Sequence, residues 1–242
     1  MKTLVIIPSR MSATRLPGKP LMKISGLSII SHVFKKAEKA NIGEVVVATE
    51  DQEIIEDVKN NGGNAILTRK NHQTGTDRIY EAFKLLKRSD VDFIMNVQGD
   101  EPQIDIKDIK NLDKKMKITN SKIGTLAAKI SNKKIYENEN IVKVKIKEPF
   151  DRNSFPYAEN FMRKSKLYEN IFHHIGIYCY SVKILKKIIS FKQSKNELKN
   201  RLEQLRALDN KIDINVALAN TSPIGIDTNE DYLAIKKIME YK

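Results

Sequence analysis

Three cations crowd one short loop near the amino end of the chain. The thirteen residues from Pro8 to Pro20 contain Arg10, Arg15 and Lys19 together with several hydroxyl side chains. Fixed positive charges and hydrogen-bond donors at this density can surround a polyphosphate. The loop has neither a P-loop ending nor a G-x-G-x-x-G turn, so ordinary NTPases and dinucleotide oxidoreductases are disfavoured. Taken alone, the segment also fits a solvated basic loop.

Two aspartates could form a magnesium site beside that loop. Asp100 follows a hydrophobic run and comes after Gly99, which would let the backbone approach a ligand closely. Asp227 precedes Thr228, the predicted N-cap of the last helix, and is expected to be left free as a second metal ligand. Mg²⁺ is commonly held by one or two carboxylates together with phosphate oxygens. The alternatives are a turn aspartate bound to its own backbone and ordinary helix capping.

A third polar segment runs from His72 to Arg78 into a predicted helix. Gly75 and Thr76 lie near the helix N-terminus, where backbone N–H groups can bind an anion, and Arg78 projects from the first turn. The alternative is a capped helix start with no ligand.

The other candidate chemical groups give weaker signals. His173 and His174 are adjacent before a predicted strand, so they point to opposite faces, and the chain has no zinc-binding spacing. Cys179 is expected to be a packed strand residue rather than a nucleophile. Glu203 and Gln204 belong to an amphipathic helix turn and would by default face solvent.

The composition suggests acidic partners. The 242 residues have a net charge of +13, but 34 of the 43 basic residues are Lys and they are spread along the chain. Diffuse lysine favours a solvated surface, and a basic nucleic-acid-binding protein is the alternative from a different class. No apolar run approaches the roughly 18 residues of a membrane span, and no signal-peptide core is present. With a single cysteine, these features predict a cytoplasmic protein.

The elements that must position these residues alternate between strands and helices in the first half. Strands are predicted over residues 3–7, 44–49, 65–68 and 92–97, and helices over residues 28–40, 52–60 and 77–87. This alternation is typical of an α/β fold, here a Rossmann-like, mostly parallel sheet with helices on both faces. In such sheets ligands bind outside the carboxyl ends of the strands, which is where the loops at 8–20 and 98–102 are expected.

The second half of the chain does not show this alternation of strands and helices. Strands are predicted over residues 123–130, 141–146, 175–180 and 214–218, helices over residues 182–190, 197–208 and 230–241, and an irregular polar stretch over 149–166. We expect one domain over residues 1–242, in which about 130–200 form an inserted subdomain that makes an oligomer contact.

Seven segments, taken in order, carry a family resemblance. They are residues 10–21, 47–49, 72–78, 96–102, 174–178, 202–208 and 225–231. Together they resemble the 3-deoxy-manno-octulosonate cytidylyltransferases, or CMP-Kdo synthetases, across nearly the whole chain. The resemblance implies transfer of CMP from CTP to 3-deoxy-manno-octulosonate (Kdo), an acidic eight-carbon sugar, with release of pyrophosphate, in lipopolysaccharide synthesis. It also implies a nucleotide-binding domain with a dimerisation subdomain, and hence a homodimer.

The resemblance also implies residue roles. Arg10 and Lys19 would bind the CTP triphosphate, Asp100 and Asp227 would hold Mg²⁺, and these four would be the catalytic set. Ser12, Gly75, Thr76 and Arg78 would lie at the nucleotide, whereas the Kdo site would be lined by Arg15, Gln98, His174, Tyr178, Glu203 and Gln204. Elementary chemistry agrees, because in-line attack on the α-phosphorus needs positioning and neutralised phosphate charge more than a covalent nucleophile.

Some positions depart from the family pattern. Met11 replaces an aromatic residue, Glu50 replaces an Asp, Asn229 replaces a frequent Pro, and residues 144–159 are shorter and contain Asp151-Arg152. A related 2-keto sugar acid, such as 8-amino-Kdo or a nonulosonate, is therefore the alternative acceptor.

Overall fold

A computed structural model describes residues 1–12, 15–151, 154–166, 168–223 and 225–240. The chain divides into two compact units, Met1–Ile109 with Pro223–Lys242, and Lys110–Ser222. Arg152 lies outside the described residues. No helix in the described part of the chain is long and apolar enough to span a bilayer.

The first unit is built on four parallel strands. In chain order its elements are β1 (Thr3–Ser9), a 3-10 turn (Lys19–Leu21), β2 (Lys23–Ile24), β3 (Leu27–Ser28), α1 (Ile29–Lys39), β4 (Gly43–Thr49), α2 (Gln52–Asn60), β5 (Ala65–Leu67), α3 (Gly75–Leu85) and β6 (Phe93–Asn96). The parallel strands lie in the order β6-β1-β4-β5, and β2 and β3 form a small hairpin. The unit also contains the last helix of the chain, Asn229–Glu240, and the start of α4 (Ile106–Thr119).

The central strands are buried on both faces, which explains their uninterrupted apolar runs. Leu4, Val5, Ile6 and Ile7 of β1 are at most 1% exposed. At the start of β4 a Cβ on Gly43 would lie 1.8 Å from the carbonyl oxygen of Thr3, so this approach of β1 and β4 requires glycine.

The second unit holds a mixed sheet. Its elements after α4 are β7 (Ile123–Ala128), α5 (Lys134–Glu137), β8 (Lys143–Ile146), β9 (Ala158–Met162), β10 (Ile171–Ser181), α6 (Val182–Ser190), α7 (Lys195–Asn200), α8 (Leu205–Asp209) and β11 (Asn215–Leu218). The strands run β11-β7-β10-β8-β9, with β11 parallel to β7 and the other neighbours antiparallel. The last helix of the chain, α9, is Asn229–Glu240.

The predicted α/β class with a mostly parallel central sheet is confirmed, and α2 and α6 have the predicted bounds. The predicted dimerisation subdomain over about 130–200 stays a prediction.

Several elements of the second half were predicted wrongly. Residues 158–162 of the supposed irregular stretch form β9, and β10 begins at Ile171, so His173 and His174 lie inside a strand rather than before it. The single helix predicted over 197–208 is two helices separated at Arg201, which has φ 53°. In the first half of the chain, helix α4 and the β2–β3 hairpin were missed.

Candidate active site

A cavity of about 390 Å³ opens in the first unit at the carboxyl ends of the parallel strands. Its lining comes from four separate segments: residues 8–10, 15–20, 72–78 and 98–100, with Asp227 added from near the end of the chain. This is the edge at which α/β sheets bind ligands, and the volume is in the range of small-molecule sites.

The loops after β1 and β6 meet by direct backbone contact. A Cβ on Gly99 would lie 2.9 Å from the carbonyl oxygen of Pro8 and 3.1 Å from Cδ1 of Ile30. Glycine is therefore needed here for the approach of two protein loops. Gly99 also lines the cavity, and its predicted close approach to a ligand stays a prediction.

Lys19 ties the two predicted metal ligands together. Its Nζ donates to Asp100 Oδ2 at 2.6 Å, to the carbonyl oxygen of Ile226 at 2.6 Å and to Asp227 Oδ1 at 3.3 Å. The ammonium has three N–H donors and uses all of them here. The backbone reinforces the contact, because the N–H of Ile226 donates to the carbonyl oxygen of Asp100 at 2.9 Å.

Asp227 has a second cationic partner. Arg15 Nη2 lies 2.8 Å from Asp227 Oδ2, with both side chains about half exposed. Asp227 is thus held by Lys19 and Arg15 in this structure. The capping predicted at Thr228 is confirmed, because Thr228 Oγ1 accepts from the N–H of Asp231 at 3.2 Å and Asp231 Oδ2 accepts from the N–H of Thr228 at 2.9 Å. Arg15, predicted for the sugar, pairs in this structure with Asp227, which was predicted to bind the metal.

The carboxyl group of Glu101 is close enough to Asp100 and Asp227 for their charges to act on it. The residue is half-buried, and burial of the carboxyl raises its pKa to about 8, with the charges of Asp100 and Asp227 adding to the rise and Lys19 opposing it. Its Oε2 has no hydrogen-bond partner among the described residues. This shift favours the protonated form of Glu101, and sequence reasoning gave the residue no role although it follows Asp100 directly.

The guanidinium of Arg78 is engaged in the wall of the cavity. Its side chain is 4% exposed, Nη1 donates to Thr68 Oγ1 at 2.7 Å, and Nη2 pairs with Glu50. The glutamate that departs from the family pattern is thus the partner of this arginine.

The first turn of α3 also lines the cavity. Thr74 and Asp77 form a capping box, in which Asp77 N donates to Thr74 Oγ1 at 3.2 Å and Thr74 N donates to Asp77 Oδ2 at 3.1 Å. Gly75, the first helical residue, faces the cavity, where N–H groups of the first turn lack intrahelical acceptors. Thr76 is buried and does not line the cavity.

The two other residues predicted to bind the nucleotide, Arg10 and Ser12, differ in whether they line the cavity. Arg10 is exposed and lines the cavity, as does Gln98, which was predicted for the sugar. Ser12 is exposed but is not part of the cavity lining.

In the second unit, three residues predicted for the sugar lie together on and near β10. His174 Nε2 is 3.0 Å from Thr125 Oγ1, and the His174 and Tyr178 ring centroids are 5.4 Å apart. Burial raises the pKa of Tyr178 well above its usual value, and the nearby charges of Tyr180 and Glu203 add to the rise.

Burial also shifts the pKa values of two other residues of β10, His174 and Cys179. Burial lowers the pKa of His174 to about 3, so the ring is neutral and a poor base at pH 7. Gln204 precedes α8, and neither it nor Glu203 lies on the exposed helix face that is the default for such a pattern. Cys179 is buried in β10, as predicted, and burial raises the pKa of its thiol.

Comparison with known proteins identifies the family. The cytidylyltransferase family model matches residues 4–214. The 3-deoxy-manno-octulosonate cytidylyltransferase of Thermodesulfovibrio yellowstonii is 41% identical over 251 aligned residues, which cover 99% of this chain and 98% of that protein. This chain belongs to the 3-deoxy-manno-octulosonate cytidylyltransferase family. The corresponding protein of Bartonella tribocorum is 38% identical and is covered to 99%, as is this chain.

A solved member of the same family has the same fold. The structure of CMP:2-keto-3-deoxy-manno-octonic acid synthetase complexed with CTP superposes with a TM-score of 0.88 at 31% identity, covering 99% of this chain and 98% of that one. The family resemblance predicted from the seven sequence segments is confirmed.

Proposed function

We propose that this protein transfers CMP from CTP to Kdo and releases pyrophosphate. The observation that carries the proposal is the cavity of the first unit, in which Lys19 joins Asp100 and Asp227 beside Arg10. Family membership supports the same activity, since the named relatives are Kdo cytidylyltransferases.

The cations prepare the cavity for a triphosphate. Arg10 lines it with an exposed guanidinium, and the N-terminal turn of α3 adds backbone donors at Gly75. When the triphosphate binds, Lys19 can exchange an aspartate contact for a phosphate oxygen. These groups would stabilise the charge on the departing pyrophosphate, which is the main catalytic requirement of phosphoryl-type transfer.

The two aspartates fit a magnesium ion. The described residues contain no group of three or more His, Cys, Asp or Glu side chains that could hold a metal. Mg²⁺ does not need such a cage, because it is commonly bound by one or two carboxylates, waters and substrate phosphates. Asp100 and Asp227, which share one ammonium, supply that donor set. When bound, the ion would draw charge from the α-phosphate and so make it a better electrophile.

The sugar side depends on positioning. The anomeric hydroxyl loses its proton to solvent as its oxygen bonds to the α-phosphorus, and the bond from that phosphorus to the oxygen bridging to the β-phosphate breaks, so pyrophosphate leaves with the bridging oxygen. Arg15 and Gln98, which line the cavity of the first unit, offer donors for the sugar carboxylate and hydroxyls. The roles of His174, Tyr178, Glu203 and Gln204 stay predictions from the family resemblance. With its low pKa, His174 would act as a hydrogen-bonding group rather than as a base.

We also propose the compartment in which the enzyme works and its oligomeric state. CTP and an acidic sugar are small molecules of the cell interior, and an activated Kdo serves lipopolysaccharide synthesis, so we place the enzyme in the cytoplasm. We propose a homodimer as its working form, as the family resemblance implies.

A sugar-acid panel tests the proposed activity. Purified protein with CTP and Mg²⁺ is given Kdo, 8-amino-Kdo or a nonulosonate, and pyrophosphate release is measured for each. Kdo should give the highest kcat/KM, EDTA should abolish the reaction, and Mg²⁺ should restore it. Asp100→Asn should lower the rate at least about 100-fold. Asp213→Asn, which removes the same charge at an exposed position, is the control and should leave the rate unchanged. Absence of pyrophosphate with every sugar acid would refute the proposal.

A further inference from the structure

A histidine outside the predicted site set lines the nucleotide cavity. His72 lies in the segment before α3, and its side chain is 11% exposed. The residue before it, Asn71, has φ 69°, a left-handed turn that asparagine tolerates well and that sets the direction of the chain into this segment. The ring is thus part of a built wall rather than a mobile surface group.

The ring is held by Glu81 from the second turn of α3. His72 Nε2 makes a short hydrogen bond to Glu81 Oε2, and the Glu81 side chain is 14% exposed. The carboxylate is itself fixed, because Arg69 Nε donates to Oε1 at 2.8 Å and the backbone N–H of Arg69 donates to Oε2 at 3.0 Å. Both carboxylate oxygens are therefore engaged, and the imidazole is oriented by a rigid partner.

The charge state of Glu81 determines which nitrogen of the His72 ring donates to it and which is left to face a ligand. Burial raises the pKa of Glu81, but the hydrogen bonds from His72 and Arg69 outweigh burial and the pKa is lowered. An ionised carboxylate can only accept hydrogen bonds, so His72 Nε2 carries a proton. Nδ1 is the nitrogen that Glu81 does not hold.

We propose that His72 contacts the nucleotide bound in this cavity and that Glu81 is the positioning residue that holds it there. The identity of the ligand as a nucleoside triphosphate rests on the proposed function. The arrangement has the form of a histidine oriented by a carboxylate, in which the outer residue fixes the tautomer and the inner one meets the ligand.

A double-mutant cycle on CTP binding tests this pair. The Kd for CTP is measured by calorimetry for the full-length protein and for His72→Phe, Glu81→Gln and the double variant. Each single variant should raise the Kd about tenfold, and the double variant should be no weaker than either, because Glu81 acts only through His72. Lys70→Met is the control: its side chain is exposed and is not part of the His72–Glu81–Arg69 contacts, so the Kd should change less than twofold.

Two further readouts separate positioning from general damage. Glu81→Gln should raise the KM for CTP and leave kcat nearly unchanged, and nitrogen NMR should show loss of the fixed Nε2–H tautomer. If the phenylalanine variant is poorly folded by circular dichroism, His72→Gln replaces it. An unchanged Kd in the His72 variants, or additive effects in the double variant, would overturn the inference.

The outcomes also separate this inference from the proposed reaction. Coupled loss of CTP affinity in a protein that releases no pyrophosphate would support the pair and refute the sugar transfer. Normal pyrophosphate release with an unchanged Kd in every variant would refute the pair alone.

Discussion

Replacing Glu50 tests whether Arg78 builds the cavity wall or binds the nucleotide directly. In the structure the 4% exposed guanidinium of Arg78 is paired with Glu50 and also donates to Thr68. Glu50→Gln removes the compensating charge and leaves a buried cation. We therefore expect the main effect of the substitution on folding rather than on binding.

The size of the effect follows from the contacts. Removing one partner of a buried ion pair costs about 3–5 kcal/mol. The glutamine oxygen can still accept from Nη2, and the bond to Thr68 Oγ1 remains at 2.7 Å, so the lower end of that range, about 3 kcal/mol, is expected. With a urea m-value of about 1–3 kcal/mol/M, the midpoint should fall by about 1 M or more.

Urea unfolding followed by circular dichroism measures the loss of stability, and calorimetry under folding conditions measures CTP affinity. The Kd for CTP should change less than about twofold. If Arg78 instead reaches a phosphate, freeing it from Glu50 would tighten CTP binding and leave the midpoint nearly unchanged. That result would refute our description of the wall. Arg78→Met combined with Glu50→Gln should recover part of the lost stability, since no buried charge is left.

Three further predictions follow from the packing and charge of other residues. Gly99→Ala places a Cβ 2.9 Å from Pro8 O, so it should separate the two loops and lower kcat/KM for CTP at least tenfold, measured by pyrophosphate release. Glu197→Gln breaks a buried pair in which Arg206 donates to both carboxylate oxygens, at 2.9 and 2.5 Å, and should lower the free energy of unfolding by about 3 kcal/mol in urea. Burial lowers the pKa of His174 to about 3, below its unfolded value near 6.5, so the unfolded chain binds the extra proton first. Stability should therefore decline as the pH falls from about 6.5 toward 3, and His174→Gln should reduce the slope of that part of a urea-midpoint profile, to which His173, with a pKa of about 4, also contributes.

The fold of the first unit was predictable because each of its strands can be recognised from a short run of sequence. Leu4 to Ile7 is an apolar run too short for a helix, and Gly62, at φ 82°, ends α2 as predicted. Such signals need only a few neighbouring residues, and that is why the alternation of strands and helices was correct.

The errors of the second half have tertiary causes. Nothing in residues 197–208 marks a break, yet Arg201 takes a left-handed conformation. The carbonyl oxygens of Asn200 and Arg201 accept from Arg163, which is 37 and 38 residues away in the chain. Likewise β9 is a strand because β8 pairs with it, not because its own sequence favours one.

The sequence predicted which segments line the site but not which of their side chains pair with one another. The cationic loop, Asp100 and the start of α3 were all expected to meet, and they line one cavity. Which side chains would pair could not be read from the sequence, since Lys19 meets carboxylates 81 and 208 residues away. The pairing of Arg15 with Asp227 and the engagement of Arg78 by Glu50 are contacts of the same kind.

The central claim is that one cavity joins CTP to an acidic sugar. Its most direct test is phosphorus NMR of a reaction containing the protein, CTP, Kdo and Mg²⁺, with mass spectrometry of the nucleotide product. The account predicts CMP-Kdo and pyrophosphate in equal amounts, with a rate at least about 100-fold lower for Lys19→Met. It also predicts an unchanged rate for Lys23→Met, whose exposed side chain is the matched control. Failure to form CMP-Kdo, or equal rates for the Lys19 variant and the unaltered protein, would contradict it.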